Sequence, residues 1–404
     1  MKNLLVLIAA MFIINGCISQ QAFLPQKTTG EIYPGAYQTE MYLPLLKGKR
    51  VAIFANHTST IDKNHLVDSL QKLGVNIIKI FGPEHGFRGT ADAGEHVASY
   101  TDKESGIQVI SLYGGKSKPS ADDLKDVDIM LFDLQDVGVR FYTYINSMQR
   151  FMESAIDNSK PLIILDRPNP IGFMIDGPVL DRKYTSGVGL QPVPVAYGMT
   201  MGEYARMLIG EKWLKTTRAY DNNIDIQIIP CKNYTHQSRY VLPVKPSPNL
   251  PDMSSIYHYP STCFFEGTNL SEGRGTDHPF EIFGHPSLPK HLFSFTPRST
   301  DGAKNPKLKD QLCYGWNIHG QAPPTRIELK YLLEAYRLFP DKTKFFLQSK
   351  STAPEAQFFN KLAGNDQLMK QMIAGKSEKE IRASWKKDLE VFKKIRAKYL
   401  LYAD

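Results

Sequence analysis

The sequence predicts an α/β protein: a parallel sheet with helices on both faces, followed by a second, smaller α/β region. Three observations carry this. Short apolar runs alternate with helical stretches, and the runs lack the polar–apolar alternation of a sheet with one wet face. Polar residues gather just after these runs, where parallel sheets place their ligands. A proline-rich passage, Pro243-Val-Lys-Pro-Ser-Pro-Asn-Leu-Pro251, then separates this regular region from a less regular one.

Taken in order, residues 1–17 have the layout of a lipoprotein signal peptide. Lys2 precedes the apolar run Leu4 to Ile14, which is too short for a mature membrane span. Ile14-Asn15-Gly16-Cys17 reads as a lipobox, so Cys17 is expected to be lipidated. Acyl chains add roughly 0.8 kcal/mol per buried methylene, and more than one chain gives a firm tether. The expected location is therefore exported and anchored to a bacterial membrane, on its periplasmic or cell-surface face. Residues 18–44 are turn-rich and polar, as a spacer would be. Residues 45–250 form the sheet domain and residues 251–404 the C-terminal one.

The expected strands are Val51 to Ala55, Asn76 to Phe81, Gln108 to Leu112, Asp128 to Asp133 and Pro161 to Leu165, with helices at His65 to Leu73 and Tyr144 to Asn158. Beyond the prolines, Tyr331 to Leu338 and Glu378 to Tyr399 are helical. In the latter, Trp385, Leu389, Phe392 and Ile395 form one apolar face directed at the core.

Composition is globular, 42% hydrophobic and 22% charged, with a net charge of +8 spread along the chain. No basic stripe accompanies an aromatic platform, so nucleic-acid binding is not expected. Cys231, Cys263 and Cys313 have no metal-like spacing and are expected to be buried free thiols. No GxGxxG follows a strand, and neither HExxH nor GxSxG occurs. Gly114-Gly-Lys-Ser117 resembles the end of a phosphate loop, but Ile110 stands where its first glycine belongs.

The candidate site is made of carboxylates, arginines and aromatics at strand ends. His57 follows the first strand. Glu84 sits in Pro83-Glu-His-Gly-Phe-Arg-Gly89, where glycines allow a sharp turn and His85 and Arg88 stand near enough to tune it for general-acid work. A plain Glu84–Arg88 loop clamp is the alternative. Asp133 and Asp136 precede Arg140, Tyr142 and Tyr144, a mixture suited to hydroxyls and ring faces. A buried Asp–Arg pair is the alternative for Asp133. Asp166-Arg167 suits a hydroxyl or carboxylate, or simply a rigid proline turn. Ser271 to Glu281 concentrates Glu272, Arg274, Asp277 and Glu281 among glycines, as a loop over substrate or an ion-paired surface loop. His65, His236, His258 and His291 are isolated and read as structural.

These motifs together resemble the NamZ-type exo-β-N-acetylmuramidases, from about Gly48 to Tyr402. The resemblance rests on Gly82 to Gly89, Phe132-Asp-Leu-Gln-Asp-Val-Gly-Val-Arg-Phe-Tyr-Thr-Tyr144, Asp166-Arg-Pro-Asn-Pro-Ile-Gly172, Ser247-Pro-Asn-Leu-Pro251 and Glu266-Gly-Thr-Asn-Leu-Ser-Glu-Gly-Arg-Gly-Thr276. It implies a Rossmann-like first domain, a second α/β domain and an active-site cleft between them. The implied activity is release of N-acetylmuramic acid from the non-reducing ends of peptidoglycan-derived saccharides, with no cofactor and no metal.

By position, Glu84 resembles the family's catalytic acid or base. Asp136, Glu272 or the substrate's own acetamido group would assist, and His57, His85, Arg88, Asp133, Arg140, Tyr142, Asp166, Arg167 and Arg274 would bind substrate. Arg140 or Arg274 would hold the lactyl carboxylate of muramic acid. Carboxyls about 5–5.5 Å apart would indicate retention and roughly 6.5–9.5 Å inversion. Two departures stand out: Tyr197 where histidine is expected, and Asp277-His278 interrupting a threonine-rich run. The rival readings are a metal-dependent hydrolase with His57, Glu84, His85 and Asp136 as ligands, and a non-catalytic lipoprotein that binds muropeptides.

Overall fold

The computed structural model describes residues 30–84, 86–89, 99–221 and 224–404. Cys17 and His85 lie outside the described residues. The centre is a seven-stranded sheet. Its strands are β1 (Val51–Ala55), β2 (Ile77–Gly82), β3 (Tyr100–Thr101), β4 (Gln108–Ser111), β5 (Ile129–Asp133), β6 (Leu162–Leu165) and β7 (Ile226–Ile229). They lie in the order β7-β6-β5-β1-β2-β4-β3, with every neighbouring pair parallel except the edge pair β3 and β4. The chain runs outward from β1 through β2 to β4, then returns to place β5, β6 and β7 on the other flank. This reversal opens a crevice beyond the carboxyl ends of β1 and β5, where doubly wound sheets bind ligands.

The apolar runs are continuous because both faces of the sheet are buried. Within β1 the side chains still alternate: Val51, Ile53 and Ala55 enter one core, Ala52 and Phe54 the other. The first core is closed by α1 (Thr39–Leu46) and α2 (Leu66–Lys72), through Tyr42, Leu46, Leu66, Val67 and Leu70. The second is closed by α3 (Tyr144–Asp157) and α4 (Met201–Gly210), through Ile145, Met148, Phe151, Tyr204 and Leu208. Each such side chain stabilises the fold by roughly 1.5–3 kcal/mol. A capping box between Thr200 and Glu203 starts α4.

The second region begins at α5 (Met253–Thr262), whose first turn is capped by Asp252. Its sheet is small and antiparallel: β8 (Ile282–His285), β9 (Phe293–Phe295) and β10 (Cys313–Asn317), with β10 in the middle. Helices α6 (Lys330–Leu338), α7 (Phe358–Ala363), α8 (Gln367–Ile373) and α9 (Glu378–Arg396) follow. In α9, Ile381, Trp385, Leu389 and Phe392 are buried, with Ile395 packed against the same core. Phe264, Phe283, Trp385 and Phe392 share one apolar cluster with Phe54 and Phe132 of the large sheet, so the two regions meet across a common core. Cys231, Cys263 and Cys313 are buried free thiols.

Candidate active site

The carboxyl ends of β2 and β4, the start of α3 and the second region surround a cavity of about 390 Å³. That lies within the usual size range of small-molecule sites. Glu84 reaches it directly from the end of β2, and Tyr113 from the end of β4. Tyr144, Ser147 and Arg150 line it at intervals of one helical turn along α3. Ser247, Asn249 and Leu250 of the proline-rich passage form another side. From the second region come Tyr259, Glu266, Arg274 and Phe280.

Glycine shapes the Glu84 loop. Gly89 has a positive φ of 74° and lies against the His57 ring, where a Cβ would collide. His57 Nε2 in turn meets the Lys245 carbonyl at 2.9 Å, tying this loop to the proline-rich passage. Tyr142 O–H donates to the Pro246 carbonyl at 2.7 Å, which braces the same passage. Tyr142 stacks edge-on against Tyr144, with centroids 4.8 Å apart, and Tyr259 stands edge-on to Phe280 at 4.7 Å. The wall thus offers aromatic faces and hydroxyls together. The Tyr113 hydroxyl stands beside Glu84 and is pushed up to about 12 by burial, with the Glu84 charge adding to this.

Arg274 is held in place on both sides. It pairs with Glu266 at 2.7 Å and Glu272 at 3.1 Å, and its guanidinium lies 4.9 Å from the Phe280 ring centre. Glu272 also meets Lys307 at 2.8 Å. Burial alone would raise the Glu272 carboxyl, but the Lys307 and Arg274 cations outweigh it and hold it below the usual range. Glu272 is therefore a buried ionic strut behind the wall, while Glu266 and Arg274 face the cavity. Arg150 forms no ion pair among the described residues.

Several residues expected to touch a ligand lie behind the wall instead. Asp133, at the end of β5, takes Arg167 Nε and Nη2 at 2.6 and 2.7 Å, and both side chains are fully buried. Arg167 also donates to the Thr60 carbonyl at 3.0 Å. The Asp–Arg clamp is thus realised, with Arg167 as the partner. Asp166 accepts from Thr200 Oγ1, the Gly202 N–H and Tyr402 O–H at 2.6 to 2.7 Å, which fixes α4 and the C-terminal tail. Arg140 is fully buried, donating to the Leu362 and Val193 carbonyls at 2.6 and 3.2 Å, and burial lowers its guanidinium to about 9. Arg88 pairs with Asp102 at 2.8 Å and with Glu104 and Asp68 at 3.3 and 3.4 Å.

Asp136 is buried beneath the cavity. It accepts the Gly138 N–H at 2.7 Å and a hydrogen bond from Tyr197 O–H. Burial pushes its carboxyl up to about 7. Gly138 has a φ of 82°, and a Cβ there would strike Asn169, so the turn that presents Asp136 requires glycine. Tyr197, which stands where histidine was expected, is thus the residue that grips Asp136.

Of the expected site residues, Glu84, Tyr142 and Arg274 come together around the cavity. His57 braces its edge. Tyr113, Arg150, Tyr259 and Glu266 line it without having been singled out from the sequence. The helical spacing of Arg150 behind Tyr144 was the available signal for one of them. Among the described residues, the His, Cys, Asp and Glu side chains that converge as a metal site would require are His278, Glu281 and His319, remote in sequence from His57, Glu84 and Asp136.

A doubly wound sheet with a cavity of aromatic walls, hydroxyls, arginines and strand-end carboxylate belongs to the carbohydrate-active α/β proteins by its chemistry. Sequence comparison gives the particular family. The model described as "Exo-beta-N-acetylmuramidase NamZ, N-terminal" matches residues 51–254, and its C-terminal counterpart matches residues 257–402. The peptidoglycan β-N-acetylmuramidase NamZ of Bacillus subtilis is 37% identical over 389 residues, covering 89% of each chain. A crystal structure of a DUF1343 family protein from Bacteroides fragilis superposes with a TM-score of 0.82 at 45% identity, over 93% of this chain and all of that one. A second protein of that family and organism superposes at 0.77 with 28% identity, over the same share of each chain. The chain belongs to the NamZ family of exo-β-N-acetylmuramidases.

Proposed function

We propose that this protein is an exo-acting β-N-acetylmuramidase that releases N-acetylmuramic acid from the non-reducing ends of peptidoglycan fragments during cell-wall turnover. The observation that carries this reading is Glu84, a strand-end glutamate beside Tyr113 on the wall of an aromatic cavity in a chain of the NamZ family. Glu84 protonates the glycosidic oxygen as the anomeric C–O bond breaks, and water supplies the hydroxyl that the anomeric carbon gains.

The second carboxylate on the wall is Glu266, which pairs with Arg274 at 2.7 Å. It supports the positive charge that develops at the sugar ring, the part that the sequence left open between Asp136, Glu272 and the substrate's own acetamido group. The lactyl carboxylate pairs with Arg150, the cavity cation that no acid already engages among the described residues. The test is release of sugar from chromogenic β-N-acetylmuraminide and β-N-acetylglucosaminide by wild type and Glu84→Gln. Muramyl-selective turnover that Glu84→Gln abolishes supports the reading. Folded wild type that binds the muramyl sugar without turning it over would make the protein a binding lipoprotein instead.

We also propose that Cys17 is the lipidated residue that tethers the enzyme to a bacterial membrane. The lipobox at Ile14 to Cys17 supports this. Among the described residues no helix is long and apolar enough to cross a membrane. A Cys17→Ala variant should move from the detergent-soluble to the aqueous fraction and fail to incorporate labelled palmitate.

A further inference from the structure

The loop from Ser271 to Glu281 supplies Arg274 and Phe280 to the cavity, yet its far end holds a cluster that the catalytic reading does not use. His278, Glu281 and His319 place one ligand atom each within 4.8 Å of one another. We infer that these three side chains form a binding site for a zinc-class divalent ion that pins this loop to the small sheet. The donors are two imidazoles and a carboxylate, a set that suits a borderline-soft transition metal better than calcium or magnesium.

The ligand atoms are close enough together for one ion to draw them into a coordination shell by a side-chain adjustment. Metal–ligand bonds of about 2.0–2.1 Å in a tetrahedron put neighbouring ligand atoms roughly 3.3 Å apart. His319 Nδ1 and Glu281 Oε2 are separated by 3.1 Å. His278 and His319 lie face to face, with ring centroids 3.7 Å apart and planes inclined by 20°, so one ring must turn about its side-chain torsions for both in-plane nitrogens to address one ion. His278 Nδ1 is buried and has no hydrogen-bond partner. Glu281 is completely buried, and Ser254 Oγ donates to its other oxygen, the kind of outer contact that aims a ligating carboxylate. His319 is 40% exposed, which leaves a way in for the ion and a fourth position for water.

The backbone supports the same convergence. Phe280 adopts a φ of 64°, in the left-handed region that bulky side chains rarely occupy. The bend falls between His278 and Glu281. The Ile318 N–H donates to the Glu281 carbonyl at 2.8 Å, and the His319 N–H to Asn317 Oδ1 at 2.9 Å, so the segment after β10 is held beside β8. An ion at this point would join the cavity wall at Phe280 to the end of β10. It lies outside the cavity lining, so its role is to position the wall and not to activate water.

The experiment uses the full chain freed of metal by chelator and then dialysed, with zinc alone as the probe. Competition against a fluorescent zinc chelator measures affinity, and thermal unfolding with and without zinc reads the linked stabilisation. Wild type should bind one zinc and unfold at a higher temperature when it is present. His319→Gln and His278→Gln should each weaken binding at least tenfold and lose most of that shift. Cobalt in place of zinc should give a visible ligand-field band in wild type that both variants lack. His319 is exposed and glutamine keeps a hydrogen-bond donor for the buried Glu281, so the metal-free unfolding temperature of His319→Gln, measured alongside, separates loss of a ligand from loss of the fold. No binding by wild type, or equal binding by wild type and both variants, would reduce the cluster to a hydrogen-bonded carboxylate–imidazole group.

Discussion

Two polar layers lie at the same end of the large sheet, and they are built from the same residue types. The inner layer contains Asp133–Arg167, Asp136–Tyr197, Arg140, Asp166 and the Glu203–His236–Asp404 chain, in which most polar atoms bond to other parts of the protein, Asp136 Oδ1 and Arg140 Nε being exceptions. The outer layer contains Glu84, Tyr113, Tyr142, Arg150, Glu266 and Arg274, all facing the cavity. A carboxylate next to an arginine therefore has opposite meanings a short distance apart. Removing water from a charge costs several kcal/mol, so the buried Asp133 and Arg167 charges persist as a pair. Burial without an opposite charge pushes Asp136 up and Arg140 down, toward their neutral forms. The outer groups keep access to solvent or ligand, which leaves them able to change partners during a reaction.

Substitutions should separate these layers cleanly. Glu84→Gln should reduce turnover by about 10²–10⁴, the span of general-acid contributions, while the unfolding temperature stays unchanged. Asp133→Ala should behave in the opposite sense. It leaves Arg167 buried without its carboxylate, at a cost of roughly 3–5 kcal/mol, and chemical denaturation should show that loss in full. An Asp133→Ala protein of normal stability but no activity would merge the two layers into one.

Arg150→Lys sharpens the outer layer. A lysine keeps the charge but loses the planar fork, so the ratio of kcat/KM for muraminide over glucosaminide should fall about tenfold, consistent with 1–3 kcal/mol for a charged hydrogen bond. Equal losses on both sugars would remove Arg150 from carboxylate recognition.

The inner layer also predicts a pH effect. Burial alone would lower the His236 imidazole, but hydrogen bonds to Asp404 and Glu203 outweigh it and raise it to about 9. A histidine raised in the folded state stabilises fully below its unfolded value, near 6.5, and that contribution disappears as pH climbs through 9. Unfolding free energy should drop by roughly 1–3 kcal/mol between pH 6.5 and 9.5, and the drop should be absent in His236→Gln. The smallest effect is expected from Tyr197→Phe. Losing the hydroxyl that grips Asp136 should cost about 1–2 kcal/mol, measurable by urea unfolding.

The sheet was legible because burial on both faces erases alternation and leaves compact apolar strings such as Val51 to Ala55. The edge strand Ile226–Ile229 was missed, since its partly exposed positions do not form such a string. The small antiparallel sheet was missed as well, because Cys313-Tyr-Gly-Trp-Asn317 carries a glycine where pairing is tight and too little pattern to mark a strand. In the site, Glu84 was legible from the glycine turn around it. Arg150 was not, because a lone arginine in an amphipathic helix is ordinary until the helix is oriented. His236 was read as isolated, yet it joins Glu203 to a tail more than 160 residues further on, since its ring nitrogen meets the Ala403 carbonyl across a separation of 167.

By itself, then, the sequence determined the alternating strand–helix order, the end of the sheet where polar groups collect, the family, and Glu84 as a strand-end glutamate of the cavity. Those follow from local periodicity and from motifs whose spacing is written in the chain. Which of the many carboxylates and arginines are partnered, and which face the cavity, was decided by tertiary structure alone. Burial and pairing depend on contacts between segments far apart, such as Asp133 with Arg167 or Arg274 with Glu266, and the cost of an unpartnered charge in the interior selects among arrangements that look alike in one dimension.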